Sequence, residues 1–310
     1  MSETVKLIEC PRDALQSCRQ QIPTAEKAAL LLKLLEAGFR HLDCASFVSS
    51  QAVPQMADSE AVLERIAPTL RELEAQGDAP ELIGIVLNRR GAERARRTPI
   101  QILGFPYSMS PRFQWQNARQ TPEQALAITV ELQKIAADTG RKLMVYLSMA
   151  FGNPFGDADS TELMLKELER LQTAGVREIA LADTAGRADI ELITERFISA
   201  REHFPELELG LHLHSRPEQA GEKIRRAYAA GCRRFDCALG GLGGCPFAGD
   251  RLVGNLATEA AIEALQEAGV DLSLRAQALS QARASVERIR ARYCQKDEEN
   301  QGFMNTKKPA

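Results

Sequence analysis

Eight short apolar runs, six to eight residues each, alternate along the chain with longer stretches whose apolar positions recur every three to four residues. The short runs predict strands at Val5–Cys10, His41–Ser46, Leu82–Asn88, Ile100–Phe105, Leu143–Ala150, Glu178–Asp183, Leu207–His214 and Arg234–Gly240. The longer ones predict helices at Thr24–Ala37, Ser59–Gln76, Gly91–Arg97, Pro122–Thr139, Thr161–Ala174, Ile190–His203 and Pro217–Ala230. Two more follow the last strand, at Thr258–Ala268 and Gln277–Arg292. Ala37-Gly38, Ala174-Gly175 and Ala230-Gly231 each put a glycine just past a helix, where a left-handed cap favours it. Thr121-Pro122-Glu123-Gln124 reads as a helix start with proline at its first position. Strict strand–helix alternation implies parallel strands. Eight such units favour a closed (β/α)8 TIM barrel over an open sheet, as does the lack of a Gly-x-Gly-x-x-Gly turn after the first strand. A short C-terminal helical extension completes a single domain over 1–294, and the polar stretch 295–310 reads as a flexible tail or lid.

Charge narrows the partners. Lysine and arginine total 39 against 42 acidic residues, a net charge of −3, so no basic footprint for nucleic acid or an anionic membrane is expected. The longest apolar runs, such as 28–32, fall far short of the ~20 residues of a membrane span. The N-terminal segment shows no signal or transit pattern, and seven scattered cysteines without metal spacing read as reduced thiols in a cytoplasmic protein.

Unusual residues gather where strands of such a barrel end, which is where its chemistry belongs. The first strand runs into Cys10-Pro11-Arg12-Asp13, the second carries Asp43, the sixth ends at Asp183, and the seventh ends His212-Leu213-His214. Residues two apart on a strand share a side, so His212 and His214 point the same way and can bind one metal. Asp13 leaves the first strand, which neighbours the eighth in a closed barrel. Two imidazoles and a carboxylate make a mixed site for Mg²⁺, Mn²⁺ or Zn²⁺. Arg12 beside that carboxylate offers a planar donor fork for an oxyanion or enolate. Asp43 and Asp183 are acidic candidates, with a loop-anchoring role as the competing reading. Cys245 stands in the Gly-rich loop 240–246, where a mobile acid–base role competes with core filling and the loop itself could cradle phosphate.

Taken together, these segments resemble 3-hydroxy-3-methylglutaryl-CoA lyases, within the metal-dependent barrel lyases and Claisen-type synthases. The pieces are Pro11-Arg12-Asp13-x-Leu15-Gln16, Ser46-Phe47-Val48-Ser49, Val53-Pro54-Gln55-Met56-Ala57-Asp58, Asp183-Thr184-x-Gly186, His212-x-His214, 241–248 and Gly254-Asn255-Leu256-Ala257-Thr258-Glu259. Arg-Asp and His-x-His are shared with the wider superfamily, while the Phe-Val-Ser, Val-Pro-Gln-Met-Ala-Asp and Gly-Gly-Cys-Pro pieces are lyase-like. The resemblance implies metal ligands Asp13, His212, His214 and Asn255, with Mg²⁺ or Mn²⁺ as cofactor. It implies Arg12 holding an enolate oxygen, Cys245 handling a proton, and Asp183 and Asp43 near the metal, Asp43 where the lyases usually have Glu. Ser215-Arg216-Pro217-Glu218, Cys10, Ala14 and Asn153-Pro154 depart from the pattern.

The implied reaction is retro-Claisen cleavage of 3-hydroxy-3-methylglutaryl-CoA to acetyl-CoA and acetoacetate, with His212 or Asp183 as base. The expected partner is an acyl-CoA, without nucleic acid or membrane, in a homodimer. Competing readings are a lyase for another 3-hydroxy-3-carboxyalkyl-CoA, a related synthase, a non-catalytic metal- or CoA-binding barrel, and a phosphate-binding isomerase. The lack of lysine at the strand exits argues against the last.

Overall fold

The computed structural model describes residues 4–243 and 253–294. Eight parallel strands close in sequence order into one barrel. They are β1 (Lys6–Glu9), β2 (His41–Ser46), β3 (Glu81–Ile85), β4 (Ile102–Ser108), β5 (Lys142–Ser148), β6 (Glu178–Asp183), β7 (Glu208–Leu213) and β8 (Arg234–Cys237). All eight fall within the predicted runs to a few residues. The expected tail 295–310 and Cys245 lie outside the described residues.

Around the barrel lie α1 (Pro11–Gln16), α2 (Thr24–Glu36), α3 (Ser59–Ala75), α4 (Arg89–Ala95), α5 (Pro111–Ala118), α6 (Pro122–Asp138), α7 (Thr161–Thr173), α8 (Ile190–His203) and α9 (Pro217–Ala229). The helices α10 (Thr258–Glu267) and α11 (Ala276–Ile289) follow the last strand, and α11 packs on α2. The Thr121 start of α6 forms a complete capping box with Gln124. Two short helices, α1 and α5, stand where the apolar pattern showed loops. Each begins with proline and is too short to display a helical period. Among the described residues no helix is long and apolar enough to cross a membrane.

The alternation of β-strand side chains divides the core in two. Outward-facing residues such as Leu7, Leu42, Leu103, Leu181, Leu211 and Phe235 pack against the helices. The inward set is smaller: Ile8, Ile83, Ile102, Met144 and Ala180 fill the middle of the barrel. Below them a belt of charge closes the floor, with Lys6–Glu208 at 2.7 Å, Lys142–Glu81 at 2.7 Å and His41–Glu81 at 3.2 Å. Above them the interior turns polar, and that rim carries the site.

The cysteines correct an expectation. Cys18 and Cys294 form a disulfide across 276 residues of sequence, rather than remaining reduced. The return of the chain end explains it: Gln20 donates its backbone N–H to the Tyr293 carbonyl at 3.2 Å, and the Tyr293 hydroxyl donates to Glu26 at 2.7 Å. Cys10, Cys44, Cys232 and Cys237 are buried free thiols.

One carboxyl on the helix side of β1 is unusual. Glu9 is 2% exposed and accepts from the Leu239 N–H at 2.9 Å and the Thr258 hydroxyl at 2.5 Å. Burial raises its pKa to about 8; the two hydrogen bonds oppose the rise, and nearby Glu259 adds to it. Between about pH 4.5 and about 8 the native chain therefore holds a proton that the unfolded chain releases, so stability falls as pH climbs through that window. Glu9→Gln cannot ionise. Its melting temperature relative to wild type should shift in the variant's favour between about pH 6 and about pH 9. A constant difference across that range would show Glu9 to be charged throughout.

Candidate active site

At the upper rim the chain brings together Asp13, His212 and His214, whose ligating atoms lie within 4.8 Å of one another. Asp13 arrives on α1, directly after β1, and the histidines arrive at the end of β7. Asn255 joins them from the segment after the Gly-rich loop, which bridges backbone to backbone with His214. The Asn255 amide donates to Asp13 Oδ2 at 2.8 Å and to the Leu242 carbonyl at 2.9 Å. That orientation leaves its Oδ1 for a cation. Gly243 makes the approach feasible: its φ is 102°, and a Cβ there would sit 2.6 Å from the Asn255 amide nitrogen and 3.0 Å from the Asp13 carbonyl.

Each imidazole is oriented by a partner on Nδ1. For His214 this is the Val253 carbonyl at 3.1 Å, and for His212 it is Asp236 at 3.2 Å. Both Nε2 atoms are left available to a cation, in the arrangement that metal-binding histidines use. Burial, then the neighbouring His212, lowers the His214 pKa to about 4, so this ring is neutral at physiological pH. Burial works against the charge on Asp13, but Arg12, His212, His214 and the Asn255 amide outweigh it and hold the carboxyl at about 2. An ionised carboxylate and a neutral imidazole are the forms that ligate. The donor set fits a divalent cation.

Arg12 is 8% exposed. Its Nε and one NH₂ group pair with both oxygens of Asp43, the Nε at 3.1 Å. The other NH₂ group donates to Asp13 at 2.9 Å and to Gln16 at 3.2 Å. Burial disfavours the guanidinium charge, yet the two carboxylates raise its pKa further. In Asp43, burial pushes the carboxyl up and the Arg12 pair opposes it. Arg12 is thus fixed between Asp13 and a second anion.

Asp183 stands apart. Its oxygens accept the backbone N–H groups of Arg187 at 2.9 Å and Ala188 at 3.0 Å, with the Lys223 ammonium 4.0 Å away. The loop-anchoring reading describes this geometry. Lys223 in turn donates to the His214 carbonyl at 3.2 Å, bracing the ligand from behind.

The rim also holds residues that the sequence reading did not single out. Tyr146 packs edge-on against His212, with ring centroids 5.6 Å apart, and its buried hydroxyl has no hydrogen-bond partner among the described residues. Asp236 lies beneath His212, and Arg234 below it approaches the other carboxylate oxygen at 3.6 Å. The available signal was the strand Arg234-Phe235-Asp236-Cys237, where two charges share the inward face of an otherwise apolar barrel. Asp236 fixes the Nδ1–H tautomer of His212. Asp236→Asn can turn its amide toward Nδ1 and select the other tautomer, whose Nε2 carries the proton and cannot ligate. Calorimetry should show metal affinity reduced by roughly 10–100-fold with folding intact; wild-type affinity would free His212 from this dependence.

Beside Asn255 a cleft of about 540 Å³ opens between Gly240–Gly243 and the arginines Arg283 and Arg290.

Comparison with known proteins gives the chain's relatives. The chain is 30% identical over 280 residues to the hydroxymethylglutaryl-CoA lyase of Pseudomonas mevalonii, covering 90% of each. It is also 30% identical to the (R)-citramalyl-CoA lyase of Chloroflexus aurantiacus, over 89% of this chain and 88% of that one. Among solved structures, an HMG-CoA lyase from Acinetobacter baumannii in complex with coenzyme A and 3-methylmalate superposes with a TM-score of 0.82 at 28% identity, covering 100% of both chains. Residues 5–286 match the model of the HMGL-like family, and the chain belongs to that family.

Proposed function

We propose that this protein is a divalent-metal-dependent hydroxymethylglutaryl-CoA lyase, a carbon–carbon lyase that cleaves 3-hydroxy-3-methylglutaryl-CoA to acetyl-CoA and acetoacetate. The observation that carries the reading is the convergence of Asp13, His212 and His214, with Arg12 hydrogen-bonded to that same Asp13. Asp13, His212, His214 and Asn255 would hold Mg²⁺ or Mn²⁺, which would supply a Lewis acid for the substrate's 3-hydroxyl.

The chain's own residues then move protons and charge. His212 has one nitrogen on Asp236 and gives the other to the metal, so it has none left for a base. Asp183 spends its oxygens on backbone amides. Asp43 differs in that its oxygens are paired not with backbone amides but with the Arg12 guanidinium, which can take another anion in its place, and burial raises its affinity for a proton. As Asp43 takes the hydroxyl proton, the C2–C3 bond breaks and its electron pair enters the thioester as an enolate. Arg12 exchanges one anion for another: it loses the charge of Asp43 and gains that of the enolate oxygen. Charge around the guanidinium is conserved through the step, in a site shielded from water. Cys245 then delivers its thiol proton to the enolate carbon, giving acetyl-CoA, and is reprotonated from Asp43.

The test is a coupled assay for acetoacetate from 3-hydroxy-3-methylglutaryl-CoA. Turnover should require added Mg²⁺ or Mn²⁺ and vanish with chelator. A second reading, a lyase for a different 3-hydroxy-3-carboxyalkyl-CoA, is favoured by the equal identity to the citramalyl-CoA lyase and by Ser215–Glu218, where the lyase pattern is lost. Faster cleavage of citramalyl-CoA in the same assay would select it.

A further inference from the structure

Glu9 takes no part in the reaction just described, yet it touches both segments that hold Asn255. One is the turn after β8. Leu239 gives its N–H to Glu9, and three residues later the Leu242 carbonyl accepts from the Asn255 amide. The other is the start of α10, three residues past Asn255, where the Thr258 hydroxyl gives its hydrogen to the second oxygen of Glu9. The two segments are also stitched directly: Ala238 N–H donates to Leu256 O at 2.9 Å, and Thr258 N–H donates to Ala238 O at 3.1 Å. Glu9, Leu239, Thr258 and Asn255 are all buried, at 2%, 1%, 0% and 4% exposure.

We propose that Glu9 is a positioning residue for Asn255, clamping together the two segments between which that ligand is held, and thereby setting the affinity of the site for a divalent cation. This rests on the reading of Asp13, His212, His214 and Asn255 as the metal site. A carboxyl group suits the task because its two oxygens serve two donors on different segments while its backbone belongs to a central strand. Glu259 assists from α10, accepting the Gly240 N–H at 3.0 Å and so pinning the next residue of the same turn. The effect on Asn255 is transmitted through backbone held at both ends, over a path of hydrogen bonds between 2.5 and 3.1 Å. Its strand neighbours Ile8 and Cys10 face the barrel interior, so Glu9 itself points to the helix side, toward these two segments.

The experiment is Mn²⁺ titration of the full-length protein, read by the electron paramagnetic resonance of free and bound ion. Glu9→Ala should raise the dissociation constant by roughly 10–100-fold, the range expected when a ligand loses its support. Glu9→Gln, which keeps the shape and two hydrogen-bonding groups, should bind as wild type does. The decisive comparison is Glu9→Ala in an Asn255→Ala background. A residue acting through Asn255 adds nothing once that ligand is gone, so the double variant should bind no more weakly than Asn255→Ala alone. A loss that multiplies the two single effects, or wild-type affinity in Glu9→Ala, overturns the proposal. Should Glu9→Ala not fold, Thr258→Val removes one of the two hydrogen bonds and carries the same cycle. A wild type that binds no Mn²⁺ overturns the metal-site reading, and this proposal with it.

Discussion

Arg12→Lys should cut turnover by about 10²–10³-fold, the loss seen when a donor to a developing oxyanion is removed. A lysine at this position keeps a positive charge but not the fork. Arg12 presents two donors to Asp43, one to Asp13 and one to Gln16 from a single plane, and a three-hydrogen ammonium on a flexible stem cannot meet them together. With Asp43 no longer gripped, its exchange for the enolate loses its geometry, and the cost falls on the transition state rather than on substrate binding. The expected signature is a large fall in kcat with KM nearly unchanged. Metal affinity should change far less, because His212, His214 and Asn255 are positioned by other residues. Turnover close to wild type would demote Arg12 to a brace for Asp13.

The parts of this site that lie on one strand or one turn were open to sequence reasoning. His212 and His214 share a face because they are two apart, and Arg12-Asp13 stands directly after a strand. The barrel was equally accessible, since eight apolar runs alternating with helical periods leave few other closures. Residues whose importance depends on distant neighbours were not accessible. Asp236 is legible as half of a charge pair with Arg234 on the inward face of β8, but its role emerges only when β7 lays His212 beside it. Tyr146 reads as an ordinary aromatic of β5, yet it faces the rim. Glu9 joins segments about 230 and 249 residues away, and Cys18 meets Cys294 over 276. Asp183 illustrates an ambiguity: the sequence leaves a strand-end carboxylate open to a catalytic or a loop-anchoring role, and the folded loop puts backbone amides on its oxygens. Pairing across such separations is fixed by closure of the barrel, which no local pattern encodes.

Cys245→Ser should lower turnover by about 10²–10⁴-fold, the range for a lost general acid or base, while fold and metal content stay unchanged. A serine keeps the size and a hydroxyl hydrogen, but its proton is held far more tightly than that of a thiol with a reference pKa of ~8.5. After C–C cleavage the enolate must be protonated at carbon before it can return along the reaction path, and a weak acid leaves it stranded on Arg12. The defect should therefore appear as partitioning: the variant should still cleave, but the enolate should recombine with the departing ketone more often than it is protonated. Deuterated solvent distinguishes this from a structural defect: with protonation at carbon slowed, turnover of the variant should fall further in heavy water than that of wild type, whereas a structural defect leaves the isotope effect unchanged. Alkylation of the free enzyme should abolish turnover, and a bound substrate analogue should slow that inactivation. If Cys245→Ser kept most of its activity, or lost it together with a large drop in melting temperature, the thiol would be a packing residue and the proton would come from elsewhere.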